Sequence, residues 1–552
     1  MRFALQKLFL LPLFLHIVAC SPRAAEDAPG ISLPPTRGYV LISLDTLGAD
    51  HLGAYSAAHD TSPFLDEFAS RGVLFENALA QYPSTLVSHV SIFTGLYPRE
   101  HGVYVPSSVL SLEIDTLPEH FRRHGFRTAG HTEGGYVCTD LGFNRGFDEF
   151  VDRQISSDTD IEKTFERGLD FLRSLESDER FFLFLHSYAI HDPYDPPEPF
   201  RPLHLSTDSA DLPPSEGGYL RDINMRRREV SADTVARYHE LYDGTVRYVD
   251  SVLESFFAEL DLLGLRDEVT IIITSDHGEE FFEHGRLSHS QVYPETLRVP
   301  LLILHPSKLS GTRVGDLVRL IDVAPTLYEL AGIPSPEPIS GRSLVPLFSA
   351  SGKLTPVPAF AEMVDLEQQQ ALFTLEDGQL LQYVVAERLS EADGTWVAKE
   401  AVFDTAAATV DLELVSFGEP REITMAIDGR DDEAFIVGTD WTPKRLQLGP
   451  TSSSHRVRLS TSGCDVPLWL GWGNDSRCLS FKVRGISLRR TELFDLSKDA
   501  TATHDISSER AELTKRLAGD LAQKRWTLVA EPGSRSPTSD TEQALRALGY
   551  LQ

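Results

Sequence analysis

The sequence predicts a doubly wound α/β fold with a mostly parallel sheet between helices, and three observations predict it. Continuous apolar runs at 39–44, 181–185, 269–273 and 299–304 read as buried parallel strands. Amphipathic stretches at 161–175 and 235–260 lie between them at helical spacing. The third observation is what the runs end on. Asp45 follows the first, His186 the second with His191 close behind, and Asp276 and His277 the third. Ligands of open α/β sheets bind beyond the carboxyl ends of the strands, so separate strand ends deliver acids and imidazoles to one edge.

The remaining elements follow along the chain. At 552 residues it exceeds one ordinary core of about 100–200 residues, so a large domain with smaller units is expected. Past residue 347 the character changes. Residues 355–389 read as short strands with a turn at Glu376-Asp377-Gly378. From about 401 to 488 the pattern is alternating and β-branched, which reads as a β-sandwich-like insert. Residues 507–526 return to helical spacing, completing a small C-terminal α+β unit within 355–552.

Composition narrows the partners. The chain is 41% hydrophobic and 24% charged, as globular proteins are. A net charge of −31 argues against nucleic acid, whose phosphates are bound by basic surfaces. An anionic substrate would have to be drawn in locally, by a metal and a few cationic side chains.

The first residues read as an address. Arg2 and Lys7 precede an apolar run at 8–18, too short to span a bilayer. The run ends at Ile17-Val18-Ala19-Cys20, which resembles a bacterial lipoprotein cleavage box. That resemblance implies a signal peptide at 1–19, lipid on Cys20, a tether at 20–37 and a place on the periplasmic side of the envelope, at the outer membrane rather than the inner. An ordinary secretory peptide with an incidental cysteine is the alternative. Cys464 and Cys478 are candidates for a disulfide, and Cys138 reads as an inert buried thiol.

Ordered motifs then carry a family resemblance. LISLDTLGADHLGAY (41–55), TSPFLDEFASRGVLFENALAQ (61–81) and YPSTLVSHVSIFTGLYPREHG (82–102) are followed by RGFDEF (145–150) and HDPYDPP (191–197). TSDHGEEFFEHG (274–285), YPETLRVPLLI (293–303) and DVAPTLYELAGI (322–333) come next, with a weaker match at ELFDLSKD (492–499). Over about residues 38–350 the chain resembles the sulfatase family of the alkaline phosphatase superfamily. The resemblance implies a catalytic domain there and one divalent metal (Ca, Mg, Mn or Zn) held by Asp45, Thr85, Asp276 and His277, with Thr85 as nucleophile at a helix start. It implies His191 as general acid and His289 as a donor to an ester oxygen. His89, four residues after Thr85, is either an ester contact or the partner of a helix-start hydrogen bond. His186 reads as support for the ligands, and His284 as a solvent-facing loop residue. A second metal, rebuilt from Asp192, Asp195, His191 and His289, is left open.

The departures from the family pattern point to the chemistry. Sulfatases place Cys or Ser where this chain has Thr85, and oxidise it to an aldehyde. Threonine would give a ketone, so that route is closed and an unmodified alkoxide is expected. The second family aspartate is Thr46, and a cationic Lys-x-His pair falls at Glu133 and Gly135. The expected activity is therefore hydrolysis or transfer of a phosphate mono- or diester, on a glycan, lipid headgroup or nucleotide. Sulfate ester hydrolysis through unmodified Thr85 is the second expectation, and an inactive glycan-binding protein the third.

Overall fold

The computed structural model describes residues 33–547 except for short stretches, the longest at 153–159, 202–213, 448–454 and 463–480. The signal segment, Cys20 and the Cys464–Cys478 pairing lie outside the described residues.

A nine-stranded sheet forms the centre of the catalytic part. Five strands run parallel in the order Val269–Thr274, Gly38–Leu44, Phe181–Ser187, Arg127–Thr132 and Glu149–Asp152. Gly38–Leu44 is flanked on both sides in register, Ser43 lying opposite His186 and Thr274. Its residues are all buried, which is why the strand reads as an unbroken apolar run. Helices Ile161–Arg173 and Ala232–Leu262 cover one face, and Thr85–Thr94 and Val323–Ala331 pack into the core on the other.

One strand departs from expectation. The run at 299–304 divides at Pro300 into Arg298–Val299 and Leu301–Leu304, and both pieces are antiparallel to their neighbours. Proline lacks the N–H that a ladder requires, so the break falls there.

The C-terminal region adds further antiparallel sheets. Ala359–Val364, Gln368–Glu376, Gln379–Leu389 and Ser487–Asp495 form one of them. Asp377 and Gly378 both take positive φ at the expected hairpin turn. One face of this sheet, with Ala371, Phe373, Val384 and Phe494, joins the main core. The other, with Leu372, Tyr383 and Leu493, takes Leu517 from helix Ala511–Gln523. Between residues 395 and 484, two four-stranded sheets enclose one apolar core. Leu412, Leu414 and Leu446 come from one sheet, and Ile423, Met425, Val437, Val457 and Leu459 from the other.

Candidate active site

Three strand ends and one helix start meet at the edge of the sheet. Asp45 leaves Gly38–Leu44 with its backbone N–H donating to Ser187 O at 3.0 Å, which ties two strand ends together. Asp276 and His277 follow Val269–Thr274 after the single residue Ser275. Thr85 is the first residue of helix Thr85–Thr94, where unpaired N–H groups favour an anion. Ser88 clamps that helix to the site by donating to Asp276 O at 2.7 Å. Gly278 permits the close passage behind them, since a Cβ there would lie 2.1 Å from Glu295 O.

Asp45, Thr85, Asp276 and His277 are all fully buried. Asp45 Oδ1, Asp276 Oδ2 and His277 Nε2 have no hydrogen-bond partner. Buried polar atoms ordinarily have one, so three such atoms facing one another call for a missing partner. Carboxylate oxygens of Asp45 and Asp276 and a His277 ring nitrogen lie within 4.8 Å of one another, a set that could hold a divalent ion. The surroundings orient them for it. His277 Nδ1 donates to Gly278 O at 3.0 Å, which leaves Nε2 as the lone-pair nitrogen. His186 Nε2 donates to Asp45 Oδ2 at 3.1 Å, as expected of a residue that supports a ligand. The Thr85 hydroxyl is hydrogen-bonded to Asp45. Burial, then the adjacent Asp276 carboxylate, push Asp45 well above the usual carboxylate range, so without a cation the pair retains a proton. A divalent ion would take the place of that proton, and the donor set fits one.

Other residues depart from expectation. His89 does not face an ester. Its Nδ1 donates to Thr85 O at 2.8 Å and its Nε2 accepts from Ser43 Oγ at 2.9 Å, so both ring nitrogens are used within the fold. Burial lowers it to about 3, and it is a neutral brace between the helix start and the first strand. His191 is in place, its Nδ1 donating to Asp192 O at 2.7 Å. Burial and the neighbouring His289 lower it to about 3. His289 stands between the groups, its ring 4.4 Å from His277 and 5.3 Å from His191.

His284 is not a solvent residue. It stacks on Tyr293 at 3.6 Å, and its Nδ1 lies 2.6 Å from Glu295 and its Nε2 2.9 Å from Ala502 O. It therefore pins the C-terminal segment to the catalytic part. Asp195 pairs with Arg201 on the surface and does not join a second metal set. Glu133, where the resemblance places a cation, is buried and hydrogen-bonded. Its two oxygens accept from Ser187 Oγ at 2.8 Å and Tyr188 N at 2.9 Å, and burial raises it to about 7. Thr46, at φ 59, turns its hydroxyl back onto Asp45 O. Cys138 is a buried thiol that burial raises to about 11, inert as expected.

Glu279 is the residue that sequence reasoning missed. It is 1% exposed, its Oε1 lies 3.4 Å from His289 Nδ1, and its Oε2 has no partner. Burial raises it to about 8, so it holds a proton at neutral pH. Its signal was its place two residues after His277, at the same strand end.

A parallel sheet that presents two carboxylates, an imidazole and a helix-start hydroxyl at one edge defines a metal-dependent ester hydrolase. The family model described as Sulfatase matches residues 37–333, more than half of the chain. The chain thus belongs to the sulfatase family, whose enzymes use a divalent metal. An arylsulfatase of Clostridium perfringens is 23% identical over 371 residues, 55% of this chain and 77% of that protein. Arylsulfatase K of Rattus norvegicus is 24% identical over 380 residues, 61% of this chain and 66% of that protein. Among solved structures, one bound to its substrate D-glucosamine-2-N,6-O-disulfate has a TM-score of 0.57 at 16% identity, covering 89% of this chain and 97% of that one. A phosphonate monoester hydrolase of Agrobacterium radiobacter has a TM-score of 0.54 at 16% identity, covering 91% and 100%. At such identities these structures attest to the fold alone.

Proposed function

We infer that this sulfatase-family hydrolase cleaves anionic phosphoesters, mono- or diesters, with Thr85 as the nucleophile. One observation carries the reading: a threonine, which cannot become the family's aldehyde, occupies the helix start with its hydroxyl on Asp45 beside Asp276 and His277. A divalent ion held by these groups would neutralise the ester's non-bridging oxygens and lower the pKa of the Thr85 hydroxyl.

The residues of the chain divide the remaining work. The N–H groups at the start of helix Thr85–Thr94 favour the anion electrostatically. With its pKa lowered in this way the Thr85 hydroxyl gives its proton to water, and its oxygen attacks phosphorus. The bond from phosphorus to the leaving alcohol breaks, leaving a phosphothreonine. The leaving oxygen takes the proton that Glu279 holds near pH 7, through His289 at 3.4 Å. Water then attacks phosphorus and gives up its proton to solvent, while the bond from phosphorus to Thr85 breaks and the Thr85 oxygen regains its proton.

A sulfate ester on a sugar is the second reading. It is favoured by the arylsulfatase relatives and by the structural neighbour bound to a disulfated glucosamine. Anchoring through lipid on Cys20 is a further part of the proposal. A mature amino terminus without lipid in a mass spectrum would remove it.

The deciding assay compares an aryl phosphodiester, an aryl phosphate monoester and an aryl sulfate across Ca, Mg, Mn and Zn, with Thr85→Ala as the control. Acid quench should trap phosphate on Thr85. Turnover of the best substrate that survives Thr85→Ala unchanged would refute the nucleophile. A Thr85-dependent preference for the sulfate would establish the second reading.

A further inference from the structure

Outside the active site, a second group of metal-binding side chains joins two elements. His51 ends the turn Ala49–His51, six residues after Asp45. His239 and Asp243 lie four residues apart on helix Ala232–Leu262, so they share one face. Donor atoms of the three lie within 4.8 Å of one another. His51 Nδ1 is 2.7 Å from Asp243 Oδ1, and His239 Nδ1 is 3.4 Å from Asp243 Oδ2. Asp50 Oδ2 lies 3.9 Å from His51 Nε2 and is a nearby fourth carboxylate.

We propose that His51, His239 and Asp243 bind a borderline divalent ion of the zinc class, at a site separate from the hydrolytic centre. Two donors bound at about 2.0 Å in a tetrahedron stand about 3.3 Å apart, and His239 Nδ1 and Asp243 Oδ2 lie at 3.4 Å, while the 2.7 Å hydrogen bond from His51 to Asp243 Oδ1 would open to admit the ion. Two imidazoles with one carboxylate suit zinc, cobalt or nickel, where an all-oxygen set would suit calcium or magnesium.

The surroundings support the assignment. The His51 side chain is 5% exposed, that of Asp243 13% and that of His239 36%, so the site is closed on the core side and open to an ion from solvent. Tyr242 packs edge-on against His51 at 4.5 Å, and Phe281 lies 5.9 Å from His51 and 5.0 Å from His239, which fixes both rings. Asp50 and Glu283 add negative charge around His51. In the absence of metal, Asp243 faces both imidazoles, with Oδ1 on His51 and Oδ2 on His239.

The site has a structural consequence. Tyr242, next to Asp243, donates its hydroxyl to Thr46 O at 2.6 Å and accepts from Gly48 N at 3.1 Å. An ion at His51 and Asp243 thus fastens the long helix to the loop that carries Asp45.

The test uses the full chain, stripped with a chelator and titrated with zinc alone. Bound equivalents are read by elemental analysis, and Co²⁺ absorption reports tetrahedral coordination. Three proteins are compared: the natural chain, His239→Ala and Asp276→Asn. His239 is partly exposed, so its loss leaves the fold standing. The natural chain should hold two equivalents. His239→Ala should lose one, with zinc affinity at that site reduced by more than the roughly 10–100-fold cost of disturbing an outer-shell partner. Asp276→Asn should retain the equivalent that His239→Ala loses, together with the cobalt spectrum. Equal zinc stoichiometry and equal zinc-dependent stabilisation in the natural chain and His239→Ala would overturn the proposal, whatever the fate of the Asp45 site.

Discussion

Glu279→Gln is a direct test of how this site stores charge. Glu279 is 1% exposed, and its Oε2 has no partner. Burial raises its carboxyl from 4.5 to about 8. A group whose folded-state pKa is raised contributes stability that is complete below pH 4.5 and is lost as pH rises toward 8. Over that window the unfolded chain releases a proton that the folded chain keeps. At about 1.4 kcal/mol per pH unit, the loss attributable to Glu279 approaches about 4 kcal/mol in the metal-free protein. Glutamine matches the shape of the protonated acid and carries no charge at any pH. The chelated natural chain and Glu279→Gln should therefore be equally stable near pH 4.5, the variant becoming the more stable by up to about 4 kcal/mol near pH 8. Urea unfolding at stepped pH, followed by tryptophan fluorescence, measures the difference. The other buried carboxylates titrate in both proteins, so the difference reports Glu279. A difference that stays flat between pH 4.5 and 8 would refute the claim that Glu279 is held protonated.

Two further substitutions examine the framework. Asp276→Asn removes one of the converging carboxylate charges, and elemental analysis should find the metal of the Asp45 set lost and hydrolysis lost with it. Full metal content at that set would count against the assignment. Asp322→Ala strands the buried Arg319 guanidinium, which pairs with Asp322 at 2.6 and 3.1 Å, and also unpairs the backbone N–H of Arg342. Removing one partner of a buried pair costs about 3–5 kcal/mol, visible as a lowered thermal midpoint.

What the sequence revealed, and what it hid, follows from where each signal resides. The central strands were legible because a strand buried on both faces must be apolar throughout, as Phe181–Ser187 is up to His186. Strand Arg127–Thr132, with the sequence RTAGHT, was not, because its burial comes from the elements around it and not from its own residues. The direction of Leu301–Leu304 was equally hidden, since an apolar run carries no mark of whether its neighbour is parallel. Asp45, Thr85, Asp276 and His277 were found because each abuts a recognisable strand end or helix start. For His89 the sequence offered the helix-start hydrogen bond it makes as one of two alternatives, and the role of His284 was not legible. Their partners Ser43 and Glu295 sit on other elements, and only packing brings them close.

Positions 89, 133 and 289, where a cation could meet an ester, are not equivalent in this chain, and the difference leads to a prediction about substrate charge. His89 is consumed in bracing the helix start, and Glu133 in holding the turn at Ser187 and Tyr188. Only His289 remains at the site. No Lys or Arg is among the groups that chiefly set the charge of Asp45, Asp276, Glu279 or Asp192. With four buried acids and no permanent cation among these, the positive charge available to an ester is essentially that of the bound ion. A dianionic phosphate monoester is then opposed more strongly than a monoanionic diester, because each added charge meets the same carboxylates in a poorly solvated pocket. The ratio of kcat/KM for an aryl phosphodiester to that for the matching monoester should exceed one at pH 8. It should fall as the pH drops below the monoester's second pKa, about 6, where that substrate too becomes a monoanion. A monoester preferred at pH 8, with no change in the ratio through pH 6, would mean that the site holds positive charge beyond the ion, and the argument from His89 and Glu133 would be wrong.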